Sequence, residues 1–205
     1  MIESVENSIG LAVLIICTVI ALTQAIRTRE RSWTLLALAI GSSTLAGLFW
    51  LVCLVFYGRT PQVATVSDLS WYALYLFMYM LLREVAPPKE KQEKRLLPWV
   101  GPVVTAGLTA YYMQYGKIVS NVIYWLLVSL LLFSSTRKLM DRQHYAKQRA
   151  LSAVILAFCV LEYALWTSSC FGELNTLLHP YFWFDFLLVL CYPFIIWGTK
   201  RAVAP

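Results

Sequence analysis

Seven mostly apolar stretches, at about 8–26, 33–57, 68–85, 97–115, 118–136, 150–170 and 181–198, take up most of the 205 residues. Each is close to the roughly 20 residues that an α-helix needs to cross ~30 Å of hydrocarbon. A composition 60% hydrophobic and 14% charged, with mean hydropathy +0.65, lies far outside globular usage and leaves little chain for a soluble domain. The expected fold is all-α and integral to a membrane, with seven transmembrane helices in a single domain over 1–205.

The distribution of Lys and Arg sets the orientation, because positive charge near helix ends resists translocation. All but two of the 17 basic residues fall on one side, in the first, third and fifth loops and at Lys200-Arg201; Arg59 and Lys117 fall on the other. The N-terminus is therefore expected outside and the C-terminus in the cytoplasm, as a multi-pass protein of the plasma membrane. This asymmetry, with attraction to anionic lipid heads, accounts for the net charge of +6 without nucleic-acid binding. Met1–Ser8 carries Glu3 and Glu6 but no positive charge, and no A-x-A-like site follows, so the first helix is expected to be retained. The five cysteines form no C-x-x-C pair; Cys17, Cys53, Cys159 and Cys191 fall in apolar windows and only Cys170 near the outer surface, so no disulfide is expected, Cys53 with Cys170 being the pair to test.

Gly58–Glu84 is the least generic stretch. A Gly58-Arg59-Thr60-Pro61 turn leads to Ser67 and Asp68, expected to cap the third helix, which then carries Trp71, Tyr72, Tyr75 and Tyr79 at helical spacing. A tyrosine hydroxyl in lipid needs a partner or water, so these rings are expected to face the bundle interior. Helix 2 opens at Trp33, an expected interfacial anchor, and holds the small residues Gly41, Ser42, Ser43, Thr44, Ala46 and Gly47, which favour tight helix packing. In helix 6, Glu162 lies about eight residues, or ~12 Å, below the outer end, where an acid costs a few kcal/mol unless it faces protein or water. Asp185 lies ~6 Å inside helix 7 on the same rise. With Asn121, Trp125, Trp166 and His179, these residues outline an outward-facing aromatic and acidic pocket.

Helices 1–3 and 5–7 run in the same directions around helix 4. This is a 3+1+3 plan with repeats at 8–85 and 118–198 and a linker helix at 97–115. The segment Trp50…Gly58-Arg-Thr-Pro…Ser67-Asp-Leu-Ser-Trp-Tyr-Ala-Leu-Tyr75 resembles the helix 2–3 region of bacterial seven-helix sensor modules that precede diguanylate cyclase or histidine kinase domains. The likeness covers about 35 residues. It implies a sensing or ligand-binding module coupled to a cytoplasmic signalling partner, with the basic loops 83–97 and 137–149 as the meeting surface. Two departures stand: no acid occurs near Leu48, and Lys200–Pro205 leads into no output domain, implying a separate partner. The layout is also similar to sugar-exporter, PQ-loop and rhodopsin-like folds, but Pro61-Gln62 falls in a loop and helix 7 has no interior Lys for a Schiff base.

No H-E-x-x-H, G-x-S-x-G, phosphate-binding glycine loop or His/Cys cluster is present, so no catalytic, cofactor or metal residues are assigned. The leading expectation is a receptor-like or accessory sensing module. A small-solute transporter is the alternative. A lipid hydrolase built from Glu162, Asp185 and His179 is a third reading, and His144 is expected to be a surface residue.

Overall fold

A computed structural model describes residues 2–58, 65–86, 96–140, 145–171 and 178–204. Among them are seven α-helices and no strand: α1 (Ile2–Thr28), α2 (Arg31–Tyr57), α3 (Thr65–Glu84), α4 (Val100–Tyr112), α5 (Ile118–Met140), α6 (Arg149–Ser169) and α7 (Pro180–Val203). Arg59–Pro61, Gln62, Lys89–Arg95, Arg142 and His144 lie outside the described residues.

Local chemistry explains the breaks. Arg29 adopts φ 55°, a left-handed conformation uncommon for a side-chain-bearing residue, and lets α1 reverse into α2 within two residues. Gly58 takes φ 61° and donates its N–H to the Leu54 carbonyl, the usual glycine end of a helix. A 3₁₀ turn at Leu97–Trp99 precedes α4, whose Pro102 sits in the first turn where its missing N–H costs nothing. Pro180 opens α7 in the same way, with His179 as its N-cap.

Five helices are long and apolar enough to cross a membrane: α1, α2, α5, α6 and α7. The other two differ from expectation for separate reasons. α3 holds 20 residues, but Ser67, Asp68, Ser70, Arg83 and Glu84 dilute its apolar character. α4 ends at Tyr112 rather than near 115, and with its 3₁₀ turn reaches only ~25 Å. The bundle wall is apolar around its outside, with Ile16, Val19, Leu38, Leu45, Val103 and Phe194 among the exposed side chains. So much exposed apolar surface belongs in lipid.

In sequence order α1, α2, α3, α5, α6 and α7 each touch the next, and α7 returns to α1. Among the described residues this makes a six-helix ring, and α4 lies outside it, packed on α5 and bonded to α6 through Tyr112 with Thr167. Small residues set the closest approaches. In the small-residue run of α2, Gly47 faces Leu11 and Leu14 and Gly41 faces Thr18 at ordinary contact distances, and the Thr18 and Thr44 hydroxyls meet at 2.8 Å; the tighter approaches are elsewhere. Gly198 of α7 lies so close to α6 that a Cβ would stand 2.8 Å from the Leu151 Cα.

The two ends of the bundle differ in charge. One gathers Arg27, Arg29, Arg31, Arg83, Arg137, Lys138, Lys147, Arg149, Lys200 and Arg201. Here Lys138, only 2% exposed, donates to the Leu82 carbonyl, and Gln148 donates to the Val85 carbonyl at 2.7 Å. Both satisfy acceptors at the C-terminus of α3, where the helix dipole also favours a cation. Trp33, expected at the lipid interface, is instead 4% exposed and joins the core at this end. The reason is the tight α1–α2 reversal, which leaves Arg31, not the ring, at the surface.

Candidate functional site

The opposite end holds a cavity of about 550 Å³, bordered by α1, α2, α3, α5, α6 and α7 and by Tyr112 at the end of α4. Three helices present the same stripe to it. α6 contributes Phe158, Glu162, Leu165, Trp166 and Ser169; α7 contributes Tyr181, Asp185, Leu188, Val189 and Tyr192; α1 contributes Glu3, Asn7, Gly10, Leu11 and Leu14. In each the steps are four, three, one and three residues, which is a single face of an α-helix. α2 adds Ser43, Gly47 and Trp50, and α3 adds Asp68, Trp71 and Tyr75.

The cavity stops halfway down. Its lowest lining residues are Leu14, Ser43, Tyr75, Phe158 and Tyr192, and the Ser43 and Tyr192 hydroxyls bond at 2.7 Å across the α2–α7 contact. Beneath lie Ile40, Met78, Leu131, Ile155 and Ile195, all fully buried. The floor is thus three aromatic rings, one hydroxyl pair and solid hydrocarbon packing.

Four acids line the space, and no Lys, Arg or His does among the described residues. Glu162 is 8% exposed, and its carboxyl faces the Tyr75 hydroxyl. Tyr124 donates to Asp68 at 3.3 Å. Glu6 lies beside Asp185; one of its carboxyl oxygens accepts from Asn7 at 3.0 Å, and the other is buried with no hydrogen-bond partner among the described residues. Pro193 has no N–H to offer the Val189 carbonyl, so the α7 ladder is interrupted beside the cavity.

An aromatic cluster joins α3, α5 and α6. Tyr124 meets Tyr72 edge-on at 4.7 Å, Tyr75 at 5.9 Å and Trp166 at 5.1 Å, and Trp50 lies 5.8 Å from Trp71. Offset and edge-to-face pairs of this kind add about 0.5–1.5 kcal/mol each beyond burial.

Of the ten residues expected to form the site, six border the cavity: Glu162, Asp185, Trp71, Tyr75, Asn121 and Trp166. The other four do not. Tyr72 stands behind Tyr124 and pairs with the Ser120 hydroxyl at 2.7 Å; Tyr79 packs on the core one turn below the floor. Trp125 turns its N–H away, to the Pro102 carbonyl at 3.1 Å, and so ties α4 to α5. His179 caps α7: Nδ1 accepts from the Tyr181 N–H at 3.2 Å and Nε2 donates to the Phe171 carbonyl. That leaves no histidine beside Glu162 and Asp185 for acid–base work among the described residues.

Asp68 is also placed differently than expected. α3 starts at Thr65, so Ser67 and Asp68 lie within the first turn rather than at its cap; Asp68 still suits the helix dipole but spends an oxygen on Tyr124. The sequence reading missed Glu3, Glu6 and Asn7, because α1 runs six residues beyond the apolar window at its start. It also passed over Tyr124, Phe158, Tyr181 and Tyr192. The spacing of Phe158 to Glu162, and of Tyr181, Asp185 and Tyr192, was the available signal. All five cysteines are free, and no group of three or more His, Cys, Asp or Glu suited to a metal occurs among the described residues.

Compared with protein-family models, curated proteins and solved structures, the chain matches none.

Proposed function

We propose that this is a seven-helix plasma-membrane protein, N-terminus outside, acting as a receptor-like or accessory sensing module whose outward cavity binds a small ligand. The observation that carries the reading is the one-sided cavity: it is acidic and aromatic at the end poor in Lys and Arg, and closed by a packed floor above the basic end. A volume near 550 Å³ lies within the roughly 300–1,000 Å³ of small-molecule sites. By the positive-inside rule the basic end faces the cytoplasm, and the resemblance of Trp50–Tyr75 to helix 2–3 of sensor modules points to a signalling partner there. In this reading the partner meets the surface parts of 83–97 and 137–149; Lys138 is not among them, since it is consumed within the fold.

Orientation is tested in a cysteine-free background with a membrane-impermeant maleimide on intact cells. A cysteine replacing Tyr115 is labelled, and one replacing Lys200 is not; the reverse pattern overturns an outward cavity. A thermal-shift screen of the purified protein in nanodiscs then tests for small ligands.

The six-helix ring favours one alternative. Helices α1–α3 and α5–α7 form its two halves with α4 outside, the arrangement a 3+1+3 transporter needs, and Ser43–Tyr192 joins α2 to α7 at the floor. Movement of a bound solute across proteoliposomes establishes this reading, and binding without movement removes it.

A further inference from the structure

We infer that the cavity takes an organic cation, a ligand with an ammonium head and apolar substituents, and that Glu162 is its counter-charge. The inference rests on the small-ligand reading above and narrows it to one chemical class. Three features converge. First, the charge is one-signed: Glu3, Asp68, Glu162 and Asp185 line the space, and no positively charged side chain lines it among the described residues. Second, the acids are not equally available. Asp68 accepts from Tyr124 and has Lys117 nearby, whereas Glu162 has the Tyr75 hydroxyl as its polar neighbour and no cation beside it among the described residues. A carboxylate offers about four acceptor positions, so Glu162 keeps capacity directed at the cavity. It is also 8% exposed and sits in the lower half of the space, where an uncompensated charge is costly and a cation relieves that cost.

Third, the walls around it are rings. Trp71, Tyr75, Phe158, Trp166 and Tyr192 all border the cavity that Glu162 borders, and the negative face of an aromatic ring attracts an ammonium by about 0.5–2 kcal/mol. Rings also accept the alkyl groups of such a ligand, which a small hydrated metal ion lacks. The carboxyls are moreover dispersed over four helices and do not group at metal-binding distances among the described residues. An anion is repelled by all four acids. With a neutral ligand Glu162 keeps its own proton, whereas a cation stabilises the ionised carboxylate.

The test uses full-length protein in nanodiscs, with tryptophan fluorescence and titration calorimetry as readouts. The probes are choline and benzyltrimethylammonium, 3,3-dimethylbutan-1-ol as the neutral carbon isostere of choline, and a panel of neutral and anionic fragments. The expected result is that both cations bind, choline at least tenfold more tightly than its isostere. Glu162→Gln, which keeps the side-chain shape, should weaken cation binding at least tenfold and leave isostere binding within twofold. Trp166→Leu should weaken cations three- to tenfold. The isostere comparison is made on wild-type protein, so it stands even if a variant fails to fold. If choline and its isostere bind alike, or only neutral or anionic fragments bind, the cation assignment is overturned while the small-ligand reading survives. If nothing in the panel binds up to millimolar concentration, both are overturned.

Discussion

The two ends of this bundle use charge in opposite ways. At the basic end, charged groups are spent on the fold: Lys138 closes the C-terminus of α3, Lys147 donates to the Ala204 carbonyl at 2.8 Å, and Arg201 stacks over Trp197 at 4.5 Å. At the cavity end the acids line the cavity instead, with Asp68 accepting from the Tyr124 hydroxyl and Glu162 facing that of Tyr75. Helix packing follows the same division. Gly198 below the floor meets Leu151 backbone; above it, Gly10 approaches a Val189 methyl that can shift, and Gly47 makes only ordinary contacts with Leu11 and Leu14. A membrane protein has little hydrophobic driving force between helices, so close packing and polar links must hold the ring.

The largest expected effect separates the ends by one methyl group. Gly198→Ala puts a Cβ 2.8 Å from backbone that cannot move aside, and overpacking of this kind costs about 1–3 kcal/mol. Gly47→Ala meets its nearest atoms at 3.8 Å and relieves the conformational freedom of glycine in a helix, so stability holds or rises slightly while the cavity narrows. Thermal denaturation in detergent should show a clear loss for the first and none for the second. Equal losses would break the division between a packed and an open end.

Next in size is Lys138→Met. The apolar stem is kept, but the Leu82 carbonyl loses a charged donor, and an orphaned buried acceptor costs about 1–3 kcal/mol. Stability should fall by about 2 kcal/mol on the same scale. Glu162→Gln, in the other end, should leave stability unchanged or raise it, because it removes a buried carboxyl whose charge no cation of the described residues offsets. A stability loss for Glu162→Gln as large as that for Lys138→Met would mean that the acid, like the lysine, is part of the scaffold.

How far the sequence showed this division depends on which physics set each feature. Helix positions followed from apolar length, and Glu162 stood out because an acid in lipid is expensive. Those features are local. Trp125 and His179 were misplaced because their partners, the Pro102 and Phe171 carbonyls, are backbone atoms of other segments, to which no side-chain pattern points. Tyr79 was grouped with Tyr72 and Tyr75 by spacing, yet the three differ by depth: the cavity ends between Tyr75 and Tyr79, a boundary drawn by Phe158 and Tyr192 on other helices. Glu3, Glu6 and Asn7 were lost for another reason. Hydropathy locates where lipid begins, but a helix continues past that boundary whenever its polar groups find partners, as Asn7 does with Glu6 and with the Glu3 carbonyl at 2.8 Å.

The hydroxyl pair at the floor tests where one end stops and the other begins. Tyr192→Phe and Ser43→Ala each remove the bond between α2 and α7, worth about 0.6 kcal/mol by the average for such links in membrane proteins. The double variant should cost no more than the larger single one, which a double-mutant cycle measures. In the transporter reading the same change loosens a gate, so solute leak through proteoliposomes rises. In the receptor reading the hydrocarbon layer beneath keeps the membrane sealed.

The smallest effect belongs to the only ion pair among the described residues, Arg31 with Glu84 at 3.6 Å. It has the look of a clasp between α2 and α3 at the basic end. Its side chains are 69% and 34% exposed, however, and a solvated pair of that kind contributes about 0–1 kcal/mol and less in salt. Arg31→Ala should therefore shift stability by no more than about 0.5 kcal/mol. The contrast with Lys138 is then between two cations at the same end: one works because it is buried against a helix terminus, and the other stands in water. A loss for Arg31→Ala matching that for Lys138→Met would show instead that charge at this end acts collectively, whatever its depth.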